Sequence, residues 1–242
     1  MTDYMSRDAG SSSGTKKIIT ICIIIIVVLS FGYYLFKISP ETTSTSASGY
    51  NGALNIPTSP TPIPAPAAFD PATDHFQGNA SAKNVFIEYG DMQCPACAAA
   101  EPVFKQVPSQ FTDTVFVFRY FPLIQVHQNA VEGALAAEAA GAQGKFWEMH
   151  ELLFQKQADW ESLGDPIDVF AQYAQQVGVA NIDQFKSDIT SKKYLPAIQK
   201  NSDEAYALNL GGTPSIFING HPLKTTPDIA SLKQEAEQFM NK

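Results

Sequence analysis

Val85-Phe86-Ile87-Glu88-Tyr89-Gly90-Asp91-Met92-Gln93-Cys94-Pro95-Ala96-Cys97 is the stretch on which the reading of this chain turns. Its first five residues are apolar or aromatic around a single acid, which predicts a buried strand over 85–89. Gly90 to Gln93 read as a loop, and a helix is expected to open at Cys94, because Pro95 suits the first helical position, where a missing N–H costs nothing. Two cysteines three apart at a helix start share one face and can close a disulfide across one turn. The two are not equivalent. Cys94 meets the unpaired N–H groups and the positive end of the helix dipole, which stabilise a thiolate. Cys97, one turn further in, is expected to be more buried and to remain a thiol until it resolves a mixed disulfide.

Two other uses of a Cys-x-x-Cys pair compete. Tetrahedral zinc needs two more ligands, and none of the four histidines forms an HxxxH-type pair with another. A purely structural disulfide closes so short a loop that its entropic benefit is small. Cys22 lies in an apolar run, so Cys94 and Cys97 form a single pair, too few for a disulfide scaffold. The formal net charge of −8 argues against nucleic acid as a partner, since such binding needs a cationic face to replace phosphate counterions.

Upstream, residues 18–36 carry no charge. At about 1.5 Å per residue they span about 28 Å, close to the ~30 Å hydrocarbon core of a membrane. A signal peptide has a shorter apolar stretch followed by a small-residue cleavage site; the expectation here is an uncleaved single-pass anchor. Arg7, Lys16 and Lys17 precede the span and only Lys37 follows closely. The positive-inside tendency then leaves residues 1–17 as a cytoplasmic tail and everything after the span outside the membrane. Residues 37–68 are rich in Pro, Ser and Thr and read as a flexible tether. Residues 69–242 read as one α/β domain.

Within that domain 115–121 reads as a second strand ended by Pro122. Residues 127–209 have a helical texture. Ile167, Phe170, Ala171, Ala174 and Val177 form one amphipathic stripe; Phe146, Met149, Leu153 and Phe154 form another. Trp147 and His150 are expected in the core. Residues 215–218 and 221–223 flank Asn219-Gly220 as a hairpin with a type I′ turn, with His221 solvated. A helix over 226–241 closes the chain.

A distant segment, Gly212-Thr213-Pro214-Ser215 followed by IFING, resembles the cis-proline loop of thioredoxin-fold proteins. Together with VFIEYGDMQCPAC, RYFPL and GAQGKFWEMHELLF, it resembles the DsbA-like thiol:disulfide oxidoreductases over roughly Asp74 to the C-terminus. The resemblance implies a thioredoxin-like fold with an inserted all-helical subdomain at about 126–210. It implies that Thr213 and Pro214 pack against the Cys94–Cys97 pair and that Thr213 offers backbone groups to an extended substrate, with Met92 and Gln93 as further substrate contacts. Glu88 stands where the family carries a buried acid that can shuttle the proton of Cys97. Asp91 is expected to cap the loop, and His127 to cap or pack at the first insert helix.

The resemblance also implies no cofactor, no metal and a monomer. Its partners would be exported proteins with free cysteines and a quinone-linked membrane oxidase. Ala96 stands where strongly oxidising members often carry His. A membrane-tethered disulfide reductase or isomerase, and a non-redox peptide-binding chaperone, remain as alternatives to the disulfide-forming enzyme.

Overall fold

The computed structural model describes residues 54–57, 59, 61, 62, 64–224 and 228–241. The expected tail at 1–17 and membrane span at 18–36 lie outside the described residues. No described helix is long and apolar enough to cross a membrane.

Five strands form one sheet: β1 (His75–Gly78), β2 (Asn84–Gly90), β3 (Thr114–Tyr120), β4 (Ser215–Ile218) and β5 (His221–Leu223), in the order β1-β3-β2-β4-β5. The central pair, β2 and β3, is parallel; the remaining pairings are antiparallel. A parallel pair requires a crossover. Helices α1 (Pro95–Phe104) and α2 (Val107–Gln110) supply it, so the start of α1 sits directly beyond the end of the middle strand. Strand β1 was not anticipated. Its four residues HFQG carry no alternation, and it is a strand because it pairs with β3, His75 opposite Phe118.

The two faces of the sheet have separate cores. Phe86, Phe116 and Phe118 face a large cluster that includes Cys97, Phe104, Leu135 and Met149. Ile87, Tyr89, Val115, Val117 and Phe217 face a smaller one. The expected insert consists of α3 (Ala130–Gly141), α4 (Phe146–Gln155), α5 (Gln157–Trp160), α6 (Ile167–Gln176), α7 (Ile182–Thr190) and α8 (Leu195–Ala207). Helix α3 is built of alanine and other small residues and is buried on nearly every side. It packs against α4, α7 and α8. At Gly133 a Cβ would lie 2.9 Å from Cβ of Met92, so only glycine lets α3 approach the loop before Cys94.

The hairpin forms as expected. Asn219 and Gly220 both have positive φ, 50° and 81°, the pair a type I′ turn needs. The last helix, α9 (Ile229–Ala236), is shorter than the sequence suggested: Asp228 caps its start by accepting from the Ser231 N–H at 2.9 Å, and turns follow Ala236.

The tether reading changes at its C-terminal end. Leu54 is buried, and the Asn55 N–H donates to Gln199 Oε1 at 2.7 Å while the Gln199 amide returns a bond to the Asn55 carbonyl at 2.8 Å. Further on, the Ala67 carbonyl accepts from Arg119 at 3.1 Å. Among the described residues, packing against the domain therefore reaches back to Leu54, ahead of Phe69. Proline-rich composition excluded regular structure there but not docking on α8 and β3.

Candidate active site

Cys94 is the N-cap of α1, with extended backbone and Pro95 following. Its N–H donates to the Asp91 carbonyl at 3.0 Å, and its carbonyl accepts from Ala98 at 3.1 Å. Both cysteines are free thiols. Cys94 is 6% exposed beside exposed Pro95 and Ala96, whereas Cys97 is 0% exposed. An incoming sulfur therefore meets Cys94 first.

The Thr213–Pro214 peptide is cis, and it brings the Thr213 carbonyl within 3.4 Å of Cys94 Sγ, where the thiol donates to it. Ionisation changes the partners. The Cys97 thiol then donates to the Cys94 sulfur, and the Thr213 hydroxyl and the N–H groups of Cys97 and Ala96 assist; these outweigh the cost of burial and bring the Cys94 pKa down to about 5. The Thr213 hydroxyl oxygen is buried without a protein partner, so it is available for that role. Cys97 moves the opposite way: burial pushes its pKa well up, and its bond to Cys94 and the Glu88 charge add to the rise.

Glu88 lies on β2 beneath the pair and is 2% exposed. Burial raises its carboxyl well above the usual range, with the charges of Glu101 and Cys94 contributing. The structure thus places Cys94, Cys97, Glu88, Thr213 and Pro214 in one locus.

Met92 and Gln93 are placed differently from the substrate contacts expected of them. Met92 is fully buried against Gly133. The Gln93 amide is tied inward, donating to the Glu161 carbonyl at 2.8 Å and accepting from the Asn129 N–H at 2.6 Å. Both side chains fasten the active-site loop to the insert instead of facing outward. Asp91 does the same: its carboxylate accepts from the N–H groups of Gln93 and Leu123, each at 2.8 Å, and lies 2.7 Å from His127 Nδ1. That contact raises the His127 pKa. His150 lies in the core as expected and Trp147, partly buried, packs against it, while His221 is exposed and stacked on Phe239.

Sequence reasoning missed Arg119. It is buried on β3 and bridges Asp74 at 2.8 Å and Glu204 at 3.0 Å. Its only sequence signal was a cation inside an apolar strand. A cavity of about 500 Å³ beside it is lined by neither cysteine. Exchange with a protein sulfur needs a reachable thiolate, not a deep pocket. Among the described residues no group of three or more His, Cys, Asp or Glu is arranged to hold a metal.

The leading cause of the low Cys94 pKa is the Cys97 thiol. Cys97→Ala is therefore expected to raise the midpoint of thiolate absorbance at 240 nm from about 5 toward the ordinary ~8.5. A midpoint left near 5 would assign the stabilisation to the helix N-terminus and Thr213 instead.

A family model described as thioredoxin matches residues 70–236. The solved structure of BdbD from Bacillus subtilis is 22% identical with a TM-score of 0.64, covering 74% of this chain and 98% of that one. MdbA from Corynebacterium diphtheriae, titled a thiol-disulfide oxidoreductase, is 20% identical with a TM-score of 0.56, covering 68% of this chain and 90% of its own. These likenesses show a DsbA-like fold. Among curated relatives, a protein named Na(+)/H(+) antiporter NhaA 1 from Salinispora arenicola is 38% identical over 151 residues, which is 62% of this chain and 22% of that protein. The chain spans about a quarter of the length of the curated relatives it matches.

Proposed function

This chain belongs to the thioredoxin family, and from that premise we propose that it is an extracytoplasmic thiol–disulfide oxidoreductase that forms disulfides in exported proteins. The observation that carries the reading is the asymmetry of one pair at a helix start. Cys94 is the more accessible thiol and has a pKa near 5, while Cys97 is fully buried with a raised pKa.

In the forward cycle a substrate thiolate attacks Cys94 Sγ of the oxidised pair. The Cys94–Cys97 bond breaks, a substrate–Cys94 bond forms, and Cys97 leaves as a thiolate that takes a proton from Glu88. A second substrate thiolate then attacks the substrate sulfur, and Cys94 departs as the better leaving group because its thiolate is stabilised. The substrate is oxidised by two electrons and the pair reduced by two. The cis-proline carbonyl of Thr213, 3.4 Å from Cys94, supports the alignment of an extended substrate segment beside the sulfur.

The apolar stretch at 18–36 and the positive charges before it support an anchor in the cell membrane with this domain outside. Reoxidation by a quinone-linked membrane partner fits that placement, as does a monomeric enzyme. The antiporter name describes proteins about four times longer than their matched portion, and nothing at the cysteines supports ion transport. A low Cys94 pKa favours oxidase over reductase, because it stabilises the reduced pair. The test is refolding of a reduced, disulfide-containing protein by the full chain in detergent with glutathione disulfide as oxidant. Regain of activity faster than with oxidant alone is expected; an equal rate would overturn the reading.

A further inference from the structure

One buried titratable group has no part in this chemistry. His150, on α4, is 3% exposed, and neither ring nitrogen has a protein partner. Rings surround it: Phe118 at 4.5 Å, Phe154 at 4.9 Å and Trp147 at 5.2 Å between centroids. A neutral imidazole carries one donor and one acceptor, and buried polar groups are rarely left unsatisfied.

A second orphan lies close by. Glu88 Oε1 is buried with no protein donor, and Glu88 sits opposite Phe118 in the β2–β3 register, the ring on which His150 packs. Glu88 and His150 line the same small cavity, of about 10 Å³, together with Glu101, Phe104, Lys105 and Trp147. That space is on the scale of one water, and a buried water needs just such polar neighbours. The cavity leads outward, since Glu101 is half-buried and Lys105 is exposed and paired with Glu151.

We propose that this cavity seats a relay water between Glu88 and His150, through which Glu88 exchanges with solvent near Glu101 the proton that it passes to or takes from Cys97. His150 is a positioning residue: it holds the water and does not touch substrate. The inference rests on the thiol–disulfide exchange proposed above and gives that reading its proton path. When Cys97 resolves a mixed disulfide, its proton goes to the Glu88 carboxylate and its sulfur bonds to Cys94. The Cys94–partner bond breaks, the partner leaves as a thiolate protonated by solvent, and Glu88 returns its proton to solvent through the water. The pair is oxidised and the partner sulfur reduced.

The charged groups in play are few. Glu88 faces Cys94, Cys97 and Glu101, all carried at or on α1. Lys105 and Glu151 pair at the mouth. Burial, helped by His75 from β1, holds the His150 imidazole neutral, its pKa down to about 3. A neutral ring accepts from or donates to a water without adding charge beside Glu88.

The test uses the full chain in detergent and follows reduced protein with glutathione disulfide in two phases, attack by Cys94 and release of the second glutathione by Cys97. With His150→Phe, which keeps the aromatic packing, the first phase and the Cys94 titration should be unchanged. The second should slow about tenfold or more, less than the roughly 10²–10⁴-fold that a proton-transfer group itself contributes because His150 only positions the water, with its pH midpoint moved. His150→Gln, which keeps a donor and an acceptor, should restore most of the rate. An unchanged second phase in His150→Phe would overturn the relay. If the parental protein shows no Cys97-dependent phase, the exchange reading itself falls. A measurement on the parental protein alone guards against a variant that does not fold. The buried carboxyl stretch that disappears when the parental protein is titrated to high pH should report a hydrogen-bonded acid, and a free-acid band would overturn the proposal.

Discussion

Replacing Cys94 by Ala is expected to reduce catalysed refolding to the uncatalysed rate, a loss on the order of 10³-fold or more, the scale seen when an enzyme loses its nucleophile. The reason is ionisation and access together. A thiol with a pKa of about 5 is almost wholly thiolate at neutral pH, whereas an ordinary one near ~8.5 is ionised only to a few per cent. Cys97 cannot take over, because it is fully buried and its pKa is raised by that burial. The fold should survive, since Ala fills most of the space of Cys at a helix start. Near-ultraviolet circular dichroism unchanged from the parental protein would show this. Catalysis at more than a small fraction of the parental rate would mean that Cys94 is not the attacking sulfur.

Arg119→Met is expected to be the most damaging substitution away from the cysteines. Arg119 donates to both Asp74 oxygens, at 2.9 and 2.8 Å, and to Glu204 at 3.0 Å, and also reaches Tyr89 and the Ala67 carbonyl. It ties the segment before β1, the sheet and α8 together. Arg119 is buried and both acids are partly buried, so removing the cation leaves two carboxylates uncompensated, which costs up to about 3–5 kcal/mol. For a domain of this size that corresponds to a fall in Tm of roughly 10 °C. The triple change Arg119→Met, Asp74→Leu, Glu204→Leu should recover much of the loss, because no unpaired charge remains. Urea unfolding of the three proteins would check this. A loss below about 1 kcal/mol for Arg119→Met would indicate that water reaches the carboxylates, as at an ordinary surface pair.

Features that depend on neighbours in sequence were legible before the structure. The strand at 85–89, the Cys94–Cys97 spacing and the Asn219-Gly220 turn each follow from local geometry, and each is found in place. The helical texture of 127–209 was legible because stripes such as Ile167, Phe170 and Ala174 recur at helical spacing, and α6 is found there. Other features arise only when distant segments converge. Arg119 finds acids 45 and 85 positions away. Residues 54–68 have the composition of a linker, yet Leu54 is buried and Asn55 is held by a helix residue 144 positions on. Met92 and Gln93 flank the cysteines in sequence, but Met92 packs where α3 comes close at Gly133 and Gln93 bonds inward to Glu161 and Asn129. The cavity shared by Glu88 and His150 needs β2, α1 and α4 at once, which no single stretch of sequence reveals.

The most direct test of the central claim is the equilibrium potential of the Cys94–Cys97 pair against glutathione, measured in the parental protein from pH 4 to pH 9. For a two-electron couple, each proton taken up shifts the potential by about 30 mV per pH unit. Below the Cys94 pKa reduction takes up two protons, and above it only one, because Cys94 remains a thiolate while Cys97 holds its proton. The sign follows from linkage: above about pH 5 the lowered Cys94 pKa favours the reduced fold increasingly as pH rises toward the ordinary thiol value, and the benefit is lost on acidification. The expected result is a slope of about 60 mV per pH unit that breaks near pH 5 to about 30, with a potential at pH 7 above the roughly −270 mV typical of a thioredoxin reductant. An unbroken slope of about 60 mV up to pH 8, with a potential at or below that value, would contradict both the stabilised Cys94 thiolate and the disulfide-forming role drawn from it.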